Sequence, residues 1–109
     1  MMYYYHPQDR ETKELVPGII ARTFWGERML AAVVELEPNA ELPMHNHPHE
    51  QIGIVISGVI EFNIAGEIKT LKAGDVYVIP GDVNHGARTF DNPVQVMDVF
   101  SPVREAYKY

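Results

Sequence analysis

From residue 18 onward, apolar and polar side chains alternate along most of this chain, and short clusters of turn residues interrupt the alternation. Alternation with a period of two places successive side chains on opposite faces of a strand, so it predicts strands rather than helices. The predicted strands cover residues 18–25, 28–37, 45–56, 59–64, 67–71, 76–79, 85–90 and 93–100. Many short strands separated by Gly and Pro turns are typical of a closed or sandwiched antiparallel sheet.

The two ends of the chain lack this pattern. In the tail, Ser101 could cap a helix and Pro102 could occupy its first position, which predicts a turn or two of helix at most. Residues 1–17 fit an arm, an edge strand or a disordered segment. We therefore expect one all-β domain, with an N-terminal arm or edge strand over 1–17, a barrel over 18–100 and a tail over 101–109.

Composition and charge restrict the partners of such a domain. The chain has 109 residues, a formal net charge of −6 and no cysteine, which excludes disulfides, thiolate metal sites and cysteine nucleophiles. A negative net charge repels nucleic acid and anionic membranes, so we expect neither as a partner. Neither a secretory signal nor a membrane-spanning apolar run is found, which predicts a soluble cytoplasmic protein.

The segment His45-Asn46-His47-Pro48-His49-Glu50-Gln51 carries the strongest chemical signal. If it is a strand, its three histidines and Gln51 share one face. His85 follows the turn at Pro80-Gly81, where a neighbouring antiparallel strand would begin. A lone histidine is usually an ordinary hydrogen-bonded residue, but four of the five histidines of this chain lie in these two segments. Imidazole is the commonest protein ligand for late first-row metals, so this clustering predicts a metal site.

The last predicted strand has a polar interruption. Asp98 lies in an apolar stripe with Val94, Val96 and Phe100, and a buried carboxylate requires a partner. One interpretation is an Asp98–Arg104 ion pair that fixes the tail. The other is a proton-transfer group beside the metal, with Arg104 free to hold a substrate carboxylate. Considered alone, Phe100 is a core residue more often than a sugar-stacking platform.

Two motifs in this chain resemble those of the cupin superfamily. The first motif is present as Asn39, His45, His47, Gln51 and Gly58, and the second as Gly74, Pro80, Asp82, His85 and Thr89. The resemblance implies a small jelly-roll barrel with a divalent metal ion held by His45, His47, Gln51 and His85. Asn39 and Asp82 replace glycines of the motifs, and both residue types tolerate left-handed backbone conformations.

The departure with chemical consequences is Gln51, which replaces an acidic ligand. Three imidazoles and an amide leave the charge of the ion uncompensated, unlike the two-histidine, one-carboxylate triad of non-haem iron oxygenases. Such a site favours Lewis-acid chemistry on an anionic ligand. The ion could be Zn, Ni, Mn or Fe. The alternative is that Gln51 orders a water molecule, or that no metal binds.

A narrower resemblance is to the pectin-degradation cupins, which linearise 4,5-unsaturated monouronates. It is carried by the runs His-x-His-Pro-His-Glu-Gln, Gly-Asp-Val-Tyr-Val-Ile-Pro and Asp-Val-Phe-Ser-Pro-x-Arg-Glu. It implies a small anionic carbohydrate as substrate, with Asp98, Phe100 and Arg104 around it. Small cupins often pair through an exposed sheet, so we also expect a homodimer. His49 is then a residue that supports the metal ligands from outside or lies at the rim of the site, and Arg22 and Arg88 are further candidate carboxylate contacts. The alternatives are another metal-dependent cupin enzyme, such as a sugar isomerase or a dioxygenase, and a non-catalytic small-molecule-binding cupin.

Overall fold

Two antiparallel sheets make up the fold of residues 2–109, which a computed structural model describes. The strands are β1 (Lys13–Val16), β2 (Ile19–Trp25), β3 (Leu30–Leu36), β4 (Glu41–His45), β5 (Glu50–Ser57), β6 (Val59–Ile64), β7 (Glu67–Lys72), β8 (Val76–Ile79), β9 (His85–Thr89) and β10 (Val94–Ser101). Short 3-10 helices cover Pro7–Asp9 and Glu105–Tyr107. The strand order is β1-β2-β3-β10-β5-β8 in the larger sheet and β4-β9-β6-β7 in the smaller one. The prediction of an all-β fold is confirmed.

The core lies between the inner faces of the two sheets. Every second residue of β3 and β10 is buried, as the alternating pattern predicts. β10 pairs with β3 on one side and β5 on the other, so its inward stripe lies at the centre of the larger sheet. Asp98 is part of that stripe and is buried among aliphatic neighbours. The expectation that this carboxylate points inward is therefore correct.

The predicted strand over 45–56 is wrong in one respect, because it is two strands in different sheets. β4 ends at His45 in the smaller sheet, and β5 begins at Glu50 in the larger one. The chain crosses between the sheets in residues 46–49, where Pro48 has no N–H to donate to a ladder. The rule that residues two apart share a face holds only within one strand. His45, His47, His49 and Gln51 therefore do not lie on the face of a single strand.

A tight turn holds this crossing segment against the β8–β9 connection. The backbone N–H of Asp82 donates to the carbonyl oxygen of His47 at 2.8 Å. Asp82 adopts a positive φ of 66°, and Asn39 a positive φ of 55°, so both replaced glycines occupy the left-handed region as expected. A Cβ on Gly81 would lie 2.4 Å from the carbonyl oxygen of Pro48. The absence of a side chain there allows the two segments to touch.

The N-terminal residues form an edge strand with an anchored arm, which decides between the three interpretations. β1 pairs antiparallel with β2 at the edge of the larger sheet. Ahead of it, the Arg10 guanidinium lies within 5.5 Å of four ring centroids, which belong to Tyr5, Phe24, Trp25 and Tyr109. Arg10 Nε also donates to the carbonyl oxygen of Thr23 at 2.9 Å. Cation–π contacts thus fasten the arm to the end of β2 and to the C-terminus.

The helix in the tail begins later in the chain than predicted. Ser101 is the last residue of β10, and its hydroxyl donates to the carbonyl oxygen of Arg28 at 3.2 Å instead of capping a helix. The short helix begins at Glu105, after Arg104, whose side chain forms no capping hydrogen bond. Within residues 2–109, no helix has the length and apolar character needed to cross a bilayer. The cytoplasmic location stays a prediction.

Candidate metal site and active site

Three imidazoles converge at one end of the space between the sheets. His45 ends β4, His47 lies in the crossing segment, and His85 begins β9. His45 and His85 are paired residues of the β4–β9 ladder, and their ring centroids lie 4.3 Å apart. One ring nitrogen of each of the three residues lies within 4.8 Å of those of the other two. The crossing between the sheets places His47 opposite the two strand ends.

Backbone carbonyl groups fix the tautomer of all three imidazoles. Each Nδ1 lies within hydrogen-bonding distance of a carbonyl oxygen two residues away in the chain. The acceptors are Pro43 for His45 at 2.9 Å, His49 for His47 at 3.1 Å and Val83 for His85 at 2.9 Å. A carbonyl oxygen can only accept, so Nδ1 carries the proton and Nε2 keeps its lone pair. This pattern is typical of metal-ligating histidines, whose second nitrogen donates to an outer hydrogen-bond acceptor.

Gln51 adds a fourth donor from the larger sheet, and its geometry tests whether a cation fits. Its Oε1 lies 3.2 Å from His47 Nε2. With the proton of His47 on Nδ1, these two atoms are both acceptors, and their proximity is unfavourable unless a cation lies between them. Two ligand atoms that each lie about 2.1 Å from one ion are separated by roughly 3.0–3.4 Å. The donor set therefore fits a late first-row divalent ion.

Burial favours the neutral form of two of the three imidazoles, those of His47 and His85. Desolvation, followed by the positive charge of Arg104 and the neighbouring imidazoles, lowers the pKa of His47 to about 4. Burial also lowers the pKa of His85. Protons therefore compete weakly with a metal ion for these two residues at pH 7.

The backbone of His49, rather than its side chain, contributes to the cluster. Its carbonyl oxygen accepts from His47, whereas its own Nδ1 is buried and has no hydrogen-bond partner among residues 2–109. The three-imidazole cluster excludes His49. The bend at Pro48-His49, which the strand prediction did not include, explains this difference from the predicted common face.

Asp98 lines the same inner cavity as Gln51 and is hydrogen bonded to Tyr77 across the intervening strand β5. The Tyr77 hydroxyl donates to Asp98 Oδ1 at 2.5 Å, although Tyr77 is on β8 and Asp98 is on β10. β5 separates these strands, and Gly53 of β5 is the ladder partner of both residues. A Cβ on Gly53 would lie 2.1 Å from a ring carbon of Tyr77. Gly53 thus leaves the space through which the tyrosine reaches the carboxylate.

Burial and hydrogen bonding act in opposite directions on Asp98. Desolvation raises its pKa to about 6, whereas hydrogen bonds from Tyr77 and Gln51 and the charge of Arg104 oppose the rise. The proposed ion pair with Arg104 is not among the salt bridges of residues 2–109. The hydrogen bond that Asp98 accepts comes from the Tyr77 hydroxyl instead.

Arg104 is held by aromatic rings rather than by a carboxylate. Its guanidinium lies 4.0 Å from the ring centroid of Tyr107 and 5.1 Å from that of Phe100. The Phe100 ring in turn contacts His47 edge-on, at 5.6 Å between centroids. The hydrogen-bond donors of Arg104 are thus positioned without a protein anion, which suits them to bind an anionic ligand.

These residues match a known family. The family model described as a cupin domain matches residues 32–100. The chain belongs to the cupin family. It is 30% identical over 106 residues to the pectin degradation protein KdgF of Dickeya dadantii (strain 3937), covering 95% of this chain and 96% of that protein.

Solved cupin structures agree over nearly the whole chain. KdgF from Halomonas sp. superimposes with a TM-score of 0.91 at 28% identity, covering 99% of this chain and 100% of that one. An RmlC-like cupin from Shewanella frigidimarina NCIMB 400 superimposes with a TM-score of 0.92 at 28% identity, covering 99% and 97% of the two chains. The predicted resemblance to pectin-degradation cupins is confirmed.

A cleft leads to the imidazole cluster of this cupin. The inner cavity, with a volume of about 40 Å³, has room for an ion or a water molecule but not a sugar. An adjoining cleft of about 410 Å³ shares His45, Arg104 and Tyr107 with it, and Lys13 also lines the cleft. A larger depression of about 530 Å³ lies elsewhere, is lined by three glutamates and lacks an imidazole. Ligand chemistry therefore favours the smaller cleft, whose volume suits a monosaccharide.

Two predicted carboxylate contacts are engaged elsewhere. Arg22 pairs with Glu35 at 3.2 Å on the outer face of the larger sheet. Arg88 pairs with Glu61 at 2.9 Å on the exposed face of the smaller one. Neither lines the cavity or the cleft of the cupin site.

The sequence-based prediction missed Tyr77, Tyr107 and Lys13. A signal existed for Tyr77, because a glycine inside a strand pattern often marks close approach of another group. Gly53 is that glycine. Tyr107 and Lys13 lie outside the alternating region, so the pattern carried no signal for them.

Proposed function

We propose that this cupin is a metal-dependent enzyme that converts cyclic 4,5-unsaturated monouronates to their linear keto form. The observation that carries the proposal is the convergence of three imidazoles beside a buried carboxylate and the Arg104 guanidinium, which forms no salt bridge within residues 2–109, at the head of a cleft. Similarity to two KdgF proteins over nearly the whole chain supports the reaction class. A small anionic carbohydrate is the substrate that this arrangement suits.

His45, His47, Gln51 and His85 would hold the ion. All four are neutral donors, so the ligand set leaves the positive charge of the ion uncompensated. When bound, a divalent ion supplies Lewis acidity to an oxygen on which negative charge develops. That chemistry suits an enolate better than oxygen activation, which uses a carboxylate in the ligand set.

Arg104 and Phe100 would bind and orient the substrate. The planar guanidinium can donate two parallel hydrogen bonds to the uronate carboxylate. The rings of Phe100 and Tyr107, which pack edge to face, lie against the guanidinium, restrict its rotation and so reduce the entropy lost on binding. Lys13 also lines the cleft and adds a second positive charge for an anion.

Asp98 would move the proton. In the reaction, the anomeric hydroxyl loses its proton, C1 forms an aldehyde, and the bond between C1 and the ring oxygen breaks. The electron pair of that bond leaves an enolate oxygen at C5, and protonation at C4 completes the isomerisation. Asp98 is the one carboxylate among the described residues that line the inner cavity. It is therefore placed to accept the first proton and to return one at C4.

The test is loss of the ultraviolet absorbance of a purified unsaturated monouronate. Protein with one equivalent of zinc, nickel, manganese or iron should accelerate the loss over buffer, and chelator-treated protein should not. Asp98→Asn should retain the metal and lose at least a hundredfold in rate, as expected for a lost general acid–base. Substrate that disappears no faster with any loaded protein than in buffer would overturn the proposal.

The same assay separates the other candidates. Turnover that consumes oxygen with bound iron would identify a dioxygenase. Interconversion of a saturated aldose and ketose without loss of the unsaturated uronate would identify a sugar isomerase. Binding of the uronate without its conversion would identify a non-catalytic binding cupin. Each of these outcomes contradicts the proposed ring opening.

We also propose that one end of the outer face of the larger sheet pairs with a second copy of the chain. A solvated antiparallel face usually carries polar residues, but this one exposes Ile52, Ile56, Val76, Val78 and Met97. These residues lie on the three neighbouring strands β10, β5 and β8, so they form one apolar patch. The patch thus has the composition of a homodimer interface.

Light scattering tests this interface. Wild-type protein should have the mass of a dimer, and Ile52→Lys combined with Val78→Lys should give a monomer. The control is Ile68→Lys, which is equally exposed but lies on β7 of the other sheet. A wild-type monomer at every concentration would contradict the interface.

A further inference from the structure

The side-chain amide of Gln51 can serve as a metal ligand in only one of its two orientations. A carboxylate presents an oxygen whichever way it turns, whereas an amide presents either an oxygen or an NH₂ group. An NH₂ group aimed at a cation cannot bind it. A glutamine in the ligand position therefore requires a second group that fixes its orientation.

Asp98 has the position and the chemistry of that second group. It is buried in the same small cavity as Gln51, and the two residues are diagonal neighbours across the β5–β10 ladder, where Gln51 pairs with Phe100 and Asp98 with Gly53. A carboxylate can only accept a hydrogen bond, so the NH₂ group is the end of the Gln51 amide that suits the side facing Asp98. Its oxygen then faces His47 Nε2, as the 3.2 Å separation shows. The Tyr77 hydroxyl donates to Asp98 Oδ1 and holds the carboxylate in place.

We propose that Asp98 is a positioning residue for the metal site, in addition to its part in the proposed reaction: it holds the oxygen of Gln51 toward the ion without touching the ion. This inference rests on the metal site of the proposed function. It explains how a glutamine can occupy the position of the acidic ligand. Asp98 would orient Gln51 in this way whether or not substrate is bound.

The inference predicts an effect of Asp98 on metal affinity whose sign depends on residue 51. Asp98→Leu removes the acceptor, frees the amide to turn, and should weaken zinc binding at least tenfold, as loss of an outer hydrogen-bond partner does. In a Gln51→Glu background, orientation no longer matters, and Asp98→Leu removes a like charge beside the new carboxylate. The same substitution should then leave zinc affinity unchanged or increase it.

The experiment is a double-mutant cycle measured by zinc competition with a chromophoric chelator. The four proteins are the wild type, Asp98→Leu, Gln51→Glu and the double variant. Asp98→Asn is the matched control, because it removes the charge but keeps an oxygen acceptor and should stay within about threefold of the wild type. Circular dichroism establishes that each variant is folded, and variants that fail to fold are replaced by the corresponding Asp98→Val set.

The outcomes separate this inference from simpler ones. If Asp98→Leu weakens zinc binding equally in the wild-type and the Gln51→Glu backgrounds, the carboxylate acts only through its charge or through general structure, and the inference is wrong. If Asp98→Leu binds zinc as the wild type does, the orientation of Gln51 does not depend on it. A wild-type protein that binds no zinc would instead overturn the metal site itself, and this inference with it.

Discussion

Gly53 gives the sharpest test of how the fold supports the site. Substitution by alanine places a methyl group 2.1 Å from one Tyr77 ring carbon and 2.3 Å from another and from the hydroxyl oxygen. The ring cannot simply move away. Phe62 packs against it, with centroids 4.1 Å apart, and the hydroxyl is hydrogen bonded to Asp98. The added methyl must displace either a packed ring or strand β5 itself.

The expected loss of unfolding free energy in Gly53→Ala is at the upper end of the range for overpacked cores. An extra methyl group in a packed core costs about 1–3 kcal/mol, and here its nearest neighbours belong to a packed tyrosine ring rather than to the end of a flexible side chain. We therefore expect Gly53→Ala to lose about 3 kcal/mol of unfolding free energy. In a domain of this size, each 1 kcal/mol lowers Tm by about 4 °C, so the expected fall is roughly 12 °C.

Thermal melts of the metal-free proteins by circular dichroism measure this change. The matched control is Gly26→Ala, because a Cβ at Gly26 has no heavy atom within 4 Å. The control should melt within about 2 °C of the wild type. The displaced hydroxyl should also weaken zinc binding by Gly53→Ala, since Tyr77 supports the carboxylate that orients Gln51.

A second background identifies the clash. Tyr77→Ala removes the ring, so Gly53→Ala should cost less than about 1 kcal/mol when added to it. An equal cost with and without the ring would refute the reasoning, as would a melting temperature for Gly53→Ala close to that of its control.

Three further predictions concern charge and anchoring. In metal-free protein, the pKa of Asp98 rises from 3.8 to about 6, so burial of the anion lowers the free energy of unfolding. This loss of stability is absent below pH 4, is complete above pH 6 and amounts to at most about 3 kcal/mol. Asp98→Asn should therefore raise Tm at pH 8 but not at pH 4, and an equal rise at both would contradict this. Three imidazoles with ordinary pKa values would lose zinc affinity roughly thousandfold between pH 7.5 and pH 5.5. Because burial lowers the pKa values of His47 and His85, chelator competition should measure a far smaller loss for this protein. Arg10→Ala should speed amide hydrogen exchange in β1 at least tenfold, because Arg10 packs against four rings, whereas exposed Lys69→Ala should not.

Alternation was sufficient to predict those strands that remain in one sheet. β2, β3, β6, β8 and β10 lie within two residues of their predicted bounds. The prediction of a single strand over residues 45–56 failed, because alternation along the sequence does not reveal which sheet a residue joins. β4 was missed because its exposure does not alternate, with only two of its five residues partly buried. Local pattern thus predicts strands but not the points at which the chain changes sheets.

The candidate site shows the same division. The structure brings all four predicted metal ligands together. It does so because the chain crosses between the sheets, and not because the four residues share one face of a strand. The proximity of Tyr77, Asp98 and Gln51 could not be derived from the sequence, since it depends on the register of three strands. Register is set by the packing of the whole sheet, so such contacts appear only in the folded structure.

The replacement of an acidic ligand by Gln51 changes where the negative charge lies rather than how much of it the site contains. With the usual glutamate, a carboxylate would contact the ion and be neutralised by it. Here Asp98 supplies the carboxylate behind the ligand, where burial raises its pKa to about 6. A metal-bound carboxylate is a poor proton carrier, because the ion stabilises its anion and lowers its proton affinity. A carboxylate behind a neutral ligand retains that affinity while it still fixes the ligand. The proposed isomerisation must both stabilise an enolate and deliver a proton to carbon, and the roles proposed for Gln51 and Asp98 would meet these two requirements in one site.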